Sequence, residues 1–394
     1  MDLKRSVFLL FLVWSPICGF SQISAGGIQF SGVLSANVID DFNSNTAYAD
    51  DNNGYSYLQL NGSFKDGPFG LESQLQFGPA PSDVTGVSNF YFHYGYGYAN
   101  FGGGVAYLAV GRIIDLSTFG LNSYYQIGPN GPGVYGSTVG KTGLSGFGID
   151  GFELRVTPLA NLVLGIVMPY NINPGFDIVN STLKNTRFVA SYTFPKILQF
   201  VLGYQQHLVG VADYLPPPST QVDPNTEVNR NKAYALANLL VSDNLTAGVR
   251  YELDHSVSAF QIISNNGYAT LGEKIGNVSV GVDAGIFVPA SGSAGVEILG
   301  AASYTFPSVL PSVDLQPYLQ VGFFSSGYPM VSDLPGATYT NGFNNDNYIM
   351  LNPEVKLLLG KSQHELELGY TISYDRRTAQ ITLDQLNMMV QIYF

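Results

Sequence analysis

The sequence predicts an all-β fold, a transmembrane antiparallel β-barrel, and three observations carry that expectation. The last nine residues, Leu386 to Phe394 (LNMMVQIYF), alternate in character. Leu386, Met388, Val390, Ile392 and Phe394 share one face of a strand, and Asn387, Met389, Gln391 and Tyr393 share the other, a period of two suited to lipid on one side and a wet or packed interior on the other. Alternating segments of roughly ten residues recur along the chain, whereas nothing after the N-terminal segment offers the roughly 18 uninterrupted apolar residues of a membrane helix. Short turns also alternate with long polar loops, the rim asymmetry of a membrane barrel.

At the N-terminus Lys4 and Arg5 precede the apolar run Ser6 to Trp14 (SVFLLFLVW), followed by Pro16 and small residues. This pattern reads as a secretory signal peptide cleaved after Ser21, so residues 1–21 are expected to leave and 22–394 to form the barrel. Cys18, the only cysteine, follows Ser15-Pro16-Ile17, a poor lipobox. A mature chain without cysteine has no internal disulfide and no thiolate metal site, which suits a closed barrel whose strands each hold two neighbours. Without residues 1–21 the chain loses Asp2, Lys4 and Arg5, leaving 28 acidic against 15 basic residues and a net charge of −13. That balance disfavours nucleic acid as a partner and suggests a weak preference for cations. Trp14 departs with the signal, so an interfacial aromatic girdle must come from the 26 Tyr and 25 Phe.

The strands follow in order. Ile28, Phe30, Leu34, Ala36 and Val38 oppose Gln29, Ser31, Ser35 and Asn37. Phe69, Leu71, Leu75 and Phe77 oppose Glu72, Gln74 and Gln76, and Leu366, Leu368, Tyr370, Ile372 and Tyr374 oppose Glu365, Glu367, Thr371 and Ser373. Short turns are expected near Lys65–Pro68, Phe101–Gly104, Pro158–Asn161, Pro195–Ile197, Ser242–Asn244, Lys274–Asn277, Pro307–Val313 and Gly360–Gln363. Eight such hairpins, with the first and last strands, give eighteen strands, short periplasmic turns and long outer loops. The segment Tyr268 to Glu273 alternates poorly, and dropping its hairpin leaves sixteen. Pro317 and Pro353 fall inside expected strands, where each removes a ladder hydrogen bond.

The longest loop, 113–148, lies between a fifth strand at Val105–Arg112 and a sixth at Gly151–Pro158. Here the chain resembles the Gram-negative outer-membrane porin family, in which a strand ending in a Gly-Arg pair, here Gly111-Arg112, runs into a third loop folded into the lumen. The terminal Phe394 likewise resembles the signal that the bacterial barrel-assembly machinery reads. The resemblance implies an outer-membrane, multi-pass protein in contact with lipid, and analogy points to a homotrimer for which the sequence offers no interface. The loop departs from the general porins, since it carries only Asp115 and Lys141 as charges, beside Tyr124, Tyr125, Tyr135 and Phe119. Any constriction would then be set by size and aromatic contact, as in substrate-specific porins, although the reading preferred for these aromatics is that they pack the loop against the wall.

On the polar strand faces, Arg112, Arg155, Arg187 and Arg250 fall on strands five, six, eight and eleven, and Glu297, Glu354, Glu365 and Glu367 on strands fourteen, sixteen and seventeen. These are the candidate pore-lining residues, and opposed charge across a lumen would orient dipolar solutes. Catalytic and metal motifs are missing. His93, His207, His255 and His364 are dispersed, with no HExxH, and there is no GxSxG. The expectation is a non-enzymatic channel without a cofactor, passing small hydrophilic solutes or ions. The alternative is a barrel-anchored adhesin or receptor using outer loops 40–54, 210–230 and 326–346.

Overall fold

The computed structural model describes residues 23–25, 28–42, 46–49, 57–79, 88–114, 148–169, 186–205, 230–256, 262–325, 348–360, 364–376 and 378–394. All helical or strand structure among them is strand. Eighteen strands make the barrel: β1 (Ile28–Asp41), β2 (Tyr57–Asp66), β3 (Phe69–Pro79), β4 (Ser88–Phe101), β5 (Ala106–Ile114) and β6 (Gly148–Leu159) come first. They continue with β7 (Leu162–Pro169), β8 (Arg187–Phe194), β9 (Leu198–Gln205), β10 (Arg230–Leu239), β11 (Leu245–Ser256) and β12 (Ile262–Ile275). The last six are β13 (Val278–Pro289), β14 (Gly295–Tyr304), β15 (Val313–Phe324), β16 (Tyr348–Leu359), β17 (His364–Asp375) and β18 (Gln380–Tyr393).

Each strand pairs antiparallel with its neighbours in sequence, and β1 pairs with β18 from Val33↔Tyr393 to Asp41↔Gln385. The sheet therefore closes on itself and has no edge, which satisfies the backbone within the wall, as hydrocarbon requires. Past the end of that ladder, Gly32 N donates to Phe394 O at 2.7 Å and Phe394 N donates to Gly32 O at 3.0 Å. The seam thus includes the terminal residue itself. A Cβ at Gly32 would stand 2.5 Å from the Phe394 ring and 2.5 Å from the Gln59 carbonyl oxygen. Glycine is what lets that ring lie across the first strand.

The eight short turns expected from the sequence lie at junctions between paired strands, although Phe306–Leu310 within the seventh is itself a short strand and residues 361–363 of the eighth lie outside the described residues, and the count is eighteen. The alternative of sixteen is corrected by β12. It is a fourteen-residue strand, among the longest in the wall, and pairs along its length with β13. Its poor alternation reflects an inner face of Ser264, Asn266, Tyr268, Thr270 and Gly272 against an outer face that includes Asn265 and Gly267, so both faces mix small and polar residues. The two prolines are accommodated where one ladder stops. β16 pairs β17 at Leu351↔Ile372 and next at Glu354↔Gly369, skipping Pro353, while Pro353 still faces Leu319 on β15. β14 pairs β15 only as far as Ser303↔Tyr318, one residue short of Pro317. Three short strands add to the wall: Ile23–Ala25 and Thr46–Ala49 on β1, and Phe306–Leu310 on β15.

Candidate functional site

Period-two alternation gives the wall two faces of opposite chemistry. Outward stand Phe30, Leu34, Leu71, Val110, Leu154, Phe188, Leu202, Val249, Ile298, Val321, Leu351 and Leu368, all exposed. Inward, on the concave face, the buried set is polar: Glu153, Glu252, Asp254, Asp283, Glu297, Glu354 and Glu367 are each at most 4% exposed. A soluble sandwich would bury the apolar face; this molecule reverses the arrangement, which is stable only with hydrocarbon outside.

Seven of the eight candidate wall residues share that inner face. Arg155, Arg187, Arg250, Glu297, Glu354, Glu365 and Glu367 sit on the register of the buried polar positions. Arg112 does not, and the expectation is corrected. β5 buries Ala109 and Ile113 and exposes Leu108 and Val110, so Arg112 falls on the outward register, paired with Asp150 of β6. The polarity of arginine suggested the inner face; the register of its strand outweighs it. Gly111 before it has φ +133, and a Cβ there would lie 2.5 Å from the Gly95 carbonyl oxygen. The Gly-Arg pair therefore marks a close approach of β5 to β4. Asp115, Tyr124, Tyr125 and Lys141 lie outside the described residues, as does most of loop 113–148.

Charges that the sequence reading passed over complete the inner wall. Lys356, 2% exposed at its side chain, is paired with Glu367, lies 3.6 Å from Glu365 and 3.8 Å from Glu354, and spans β16 and β17. Arg250 is paired with Glu252, which also takes Lys232 at 3.1 Å. The Arg250 guanidinium lies 4.5 Å from the Tyr234 ring centre. Arg155 is paired with Glu153 on its own strand and lies 5.2 Å from the Tyr107 ring centre. Glu153, Glu252 and Lys356 stand two residues from Arg155, Arg250 and Glu354, so the same alternation that selected the candidates contains their partners. β8 and β17 are nine strands apart in a ring of eighteen, hence diametrically opposed, as the sequence order implied.

The inner wall differs around its circumference. From β5 to β10 it carries an apolar cluster of Ala109, Ile113, Val167, Val189, Val201, Tyr234 and Leu236, with Tyr96, Tyr98 and Tyr107 half-buried against it. From β16 through β18 to β3 amides and hydroxyls bond to one another across the inner face, beside the Lys356 group. Thr371 donates to Asn352 at 3.2 Å, Asn387 to Thr371 at 3.4 Å, Asn61 to Ser31 at 3.4 Å and Gln74 to Asn61 at 3.0 Å. Among the described residues no group of three acidic, His or Cys side chains is arranged to hold a metal. His364 Nδ1 accepts from Tyr393 N at 3.2 Å at the seam, and His255 stacks on Tyr204 with ring centres 6.1 Å apart. Both have local packing roles.

No protein-family model and no curated protein sequence matches the chain. Its fold is that of solved barrels from Pseudomonas aeruginosa. OccK1 (OpdK) aligns with TM-score 0.57 and 13% identity, OpdL with 0.54 and 13%, each over 93% of this chain and 98% of the other. OpdK solved with vanillate aligns with TM-score 0.56, 14% identity and the same coverage.

Proposed function

We propose that the chain is an outer-membrane porin, a water-filled channel through which small hydrophilic solutes diffuse passively. The observation that carries this reading is a closed eighteen-strand wall whose inner face is charged and whose outer face is apolar. Barrels of this size enclose more space than the wall's side chains fill, unlike eight-stranded ones. The charged inner face would be wasteful in a mere anchor. The fold shared with OpdL and OpdK, the latter solved with vanillate, favours small organic solutes as cargo.

Segment 113–148 enters this reading as a loop folded into the lumen and narrowing it, with Asp115, Tyr124, Tyr125 and Lys141 at the constriction. It leaves the wall beside Ile113, one of the apolar inner residues of β5 to β10 that are nearly inaccessible. The loop that starts there has the apolar and aromatic residues to pack against that apolar arc. Residues 1–21 act as the signal peptide in this account, and Phe394, in register with Gly32, is the feature read by the assembly machinery.

Planar-bilayer recording of the purified protein tests the proposal. Discrete open-channel steps are expected, and deleting part of 115–147 should raise the size limit for graded sugars in a liposome-swelling assay. Electrical silence of an intact barrel would leave the adhesin reading standing in its place. An unchanged size limit after the deletion would remove the constriction loop.

A further inference from the structure

The charged side chains where β16 turns back into β17 do not neutralise one another. Glu354 and Lys356 hold alternate inner positions of β16, and Glu365 and Glu367 hold alternate positions of β17, with Lys356 in register opposite Glu367. Three carboxylates against one ammonium leave a formal charge of −2. The ammonium is also tethered. Lys356 Nζ donates to Glu367 Oε1, but it stands 3.6 Å from Glu365 and 3.8 Å from Glu354, beyond good hydrogen-bond reach of either. Neither carboxylate oxygen of Glu354 has a hydrogen-bond partner, and Glu367 Oε2 has none, although both side chains are 0% exposed. A buried carboxylate without a donor is costly, so these oxygens form an acceptor set for a donor that the chain's own lysine does not fully supply. Glu365, with its side chain 20% exposed, is the accessible member of the group.

We infer that this group is a receiving site for the ammonium of a primary alkylamine, which changes places with Lys356. The inference rests on the porin reading and names a cargo group for it. A free alkylammonium carries the charge and the three N–H donors of a lysine head, so the exchange leaves the sum of charges unchanged. It is not tied to β16, however, and can settle between the three carboxylates at hydrogen-bond distance from each, where the tethered Nζ does not reach. The residual charge of −2 attracts a cation while Lys356 is still in place, and Glu365 meets it first. The flexible four-carbon stem of Lys356 lets its head swing aside. Other solutes fit less well. A metal ion finds no suitable group of three ligands among the described residues, a quaternary ammonium brings charge without N–H donors, and an anion is repelled.

Isothermal titration of the full chain in detergent, with n-butylammonium as the probe and tetramethylammonium and butyrate as counter-probes, tests the site. n-Butylammonium should bind about tenfold or more tightly than tetramethylammonium, since tenfold corresponds to about 1.4 kcal/mol and one charge-assisted hydrogen bond contributes at least that much. Glu365→Gln keeps the size of the accessible member and should weaken binding by about tenfold. Lys356→Met removes the resident ammonium and should bind n-butylammonium about tenfold or more tightly than the wild type does. Where that variant does not fold, Glu365→Gln carries the test alone. Absent binding of n-butylammonium, equal affinity for tetramethylammonium, tighter binding of butyrate or an unchanged affinity in Glu365→Gln overturns the inference. So does a folded Lys356→Met barrel that binds no better than the wild type. Bilayer conductance is recorded on the same preparation without amine, so silence there refutes the channel, and the titration judges the site in either case.

Discussion

Replacing Lys356 with Met removes the only ammonium among three carboxylates on the inner wall. At 3.6 Å from Glu365 and 3.8 Å from Glu354, each attraction is about 4.5 kcal/mol at an effective dielectric near 20. The direct pair with Glu367 adds to this. Mutual repulsion among the carboxylates and water near Glu365, whose side chain is 20% exposed, cancel much of that total. Stranding a buried charge by deleting its partner costs about 3–5 kcal/mol in measured cases, and that range is the expectation here. Met keeps the apolar stem, so the loss reports charge and not a cavity. Urea unfolding in lipid bilayers, followed by circular dichroism, measures the change. The double variant K356M/E367Q removes one stranded charge as well and should recover a large part of it. A K356M barrel as stable as the wild type, within about 0.5 kcal/mol, would mean that solvent already screens these charges and that the cluster holds nothing together.

Three further substitutions separate the roles assigned above. Gly32→Val places a branched side chain against the Gln59 carbonyl and the Phe394 ring, and should destabilise the closed barrel by about 1–3 kcal/mol in the same unfolding assay, with less loss when Phe394 is also Ala. Equal losses in the two backgrounds would show that the ring is not the obstacle. Gly111→Ala meets both an unfavourable φ of +133 and the Gly95 oxygen, with an expected cost of about 1–3 kcal/mol. Recovery of wild-type stability there would show that β5 relaxes freely. Glu153→Gln leaves Arg155 without its paired carboxylate, and the reversal potential under a salt gradient should move toward anion preference. No movement would place the pair away from the ion path.

Architecture was legible because one physical rule, alternation with period two, writes itself into most of the strands facing lipid. The strand count followed from turns, and the turns from Gly, Pro, Asn and Asp at hairpin positions. One strand was read only weakly and one residue was placed on the wrong face, each for an identifiable reason. β12 alternates weakly because small and polar residues occupy both its faces, so tertiary pairing and not pattern makes it a strand. Arg112 was assigned inward on polarity, yet Ala109 and Ile113 fix the inner register of β5 and leave Arg112 on the other side. The partners Glu153, Glu252 and Lys356 were within reach of the same rule, two residues from a chosen candidate. The tyrosines Tyr94, Tyr96 and Tyr98 were visible in YGYGY at 94–98, but the stacking of Tyr98 on Tyr107 and its seat over Gly70 depend on strand register, which a single sequence does not supply.

These pairings change what the inner charges can do. Unpaired arginines facing unpaired glutamates would set a field across the whole lumen, limited by a screening length of about 8 Å at physiological salt. For Arg155, Lys232, Arg250 and Lys356 the wall instead places opposite charges within 4 Å on the same or adjacent strands, as dipoles whose influence falls off much faster than that of single charges. Arg155 with Glu153 is formally neutral. The β16–β17 group, with three carboxylates to one ammonium, keeps a formal charge of −2 and faces the part of the barrel that carries β8. In the proposed channel a solute would therefore meet the acidic β16–β17 group and, on the β4–β5 side, a compensated aromatic surface, so selectivity would be set by contact at such places more than by a field between them.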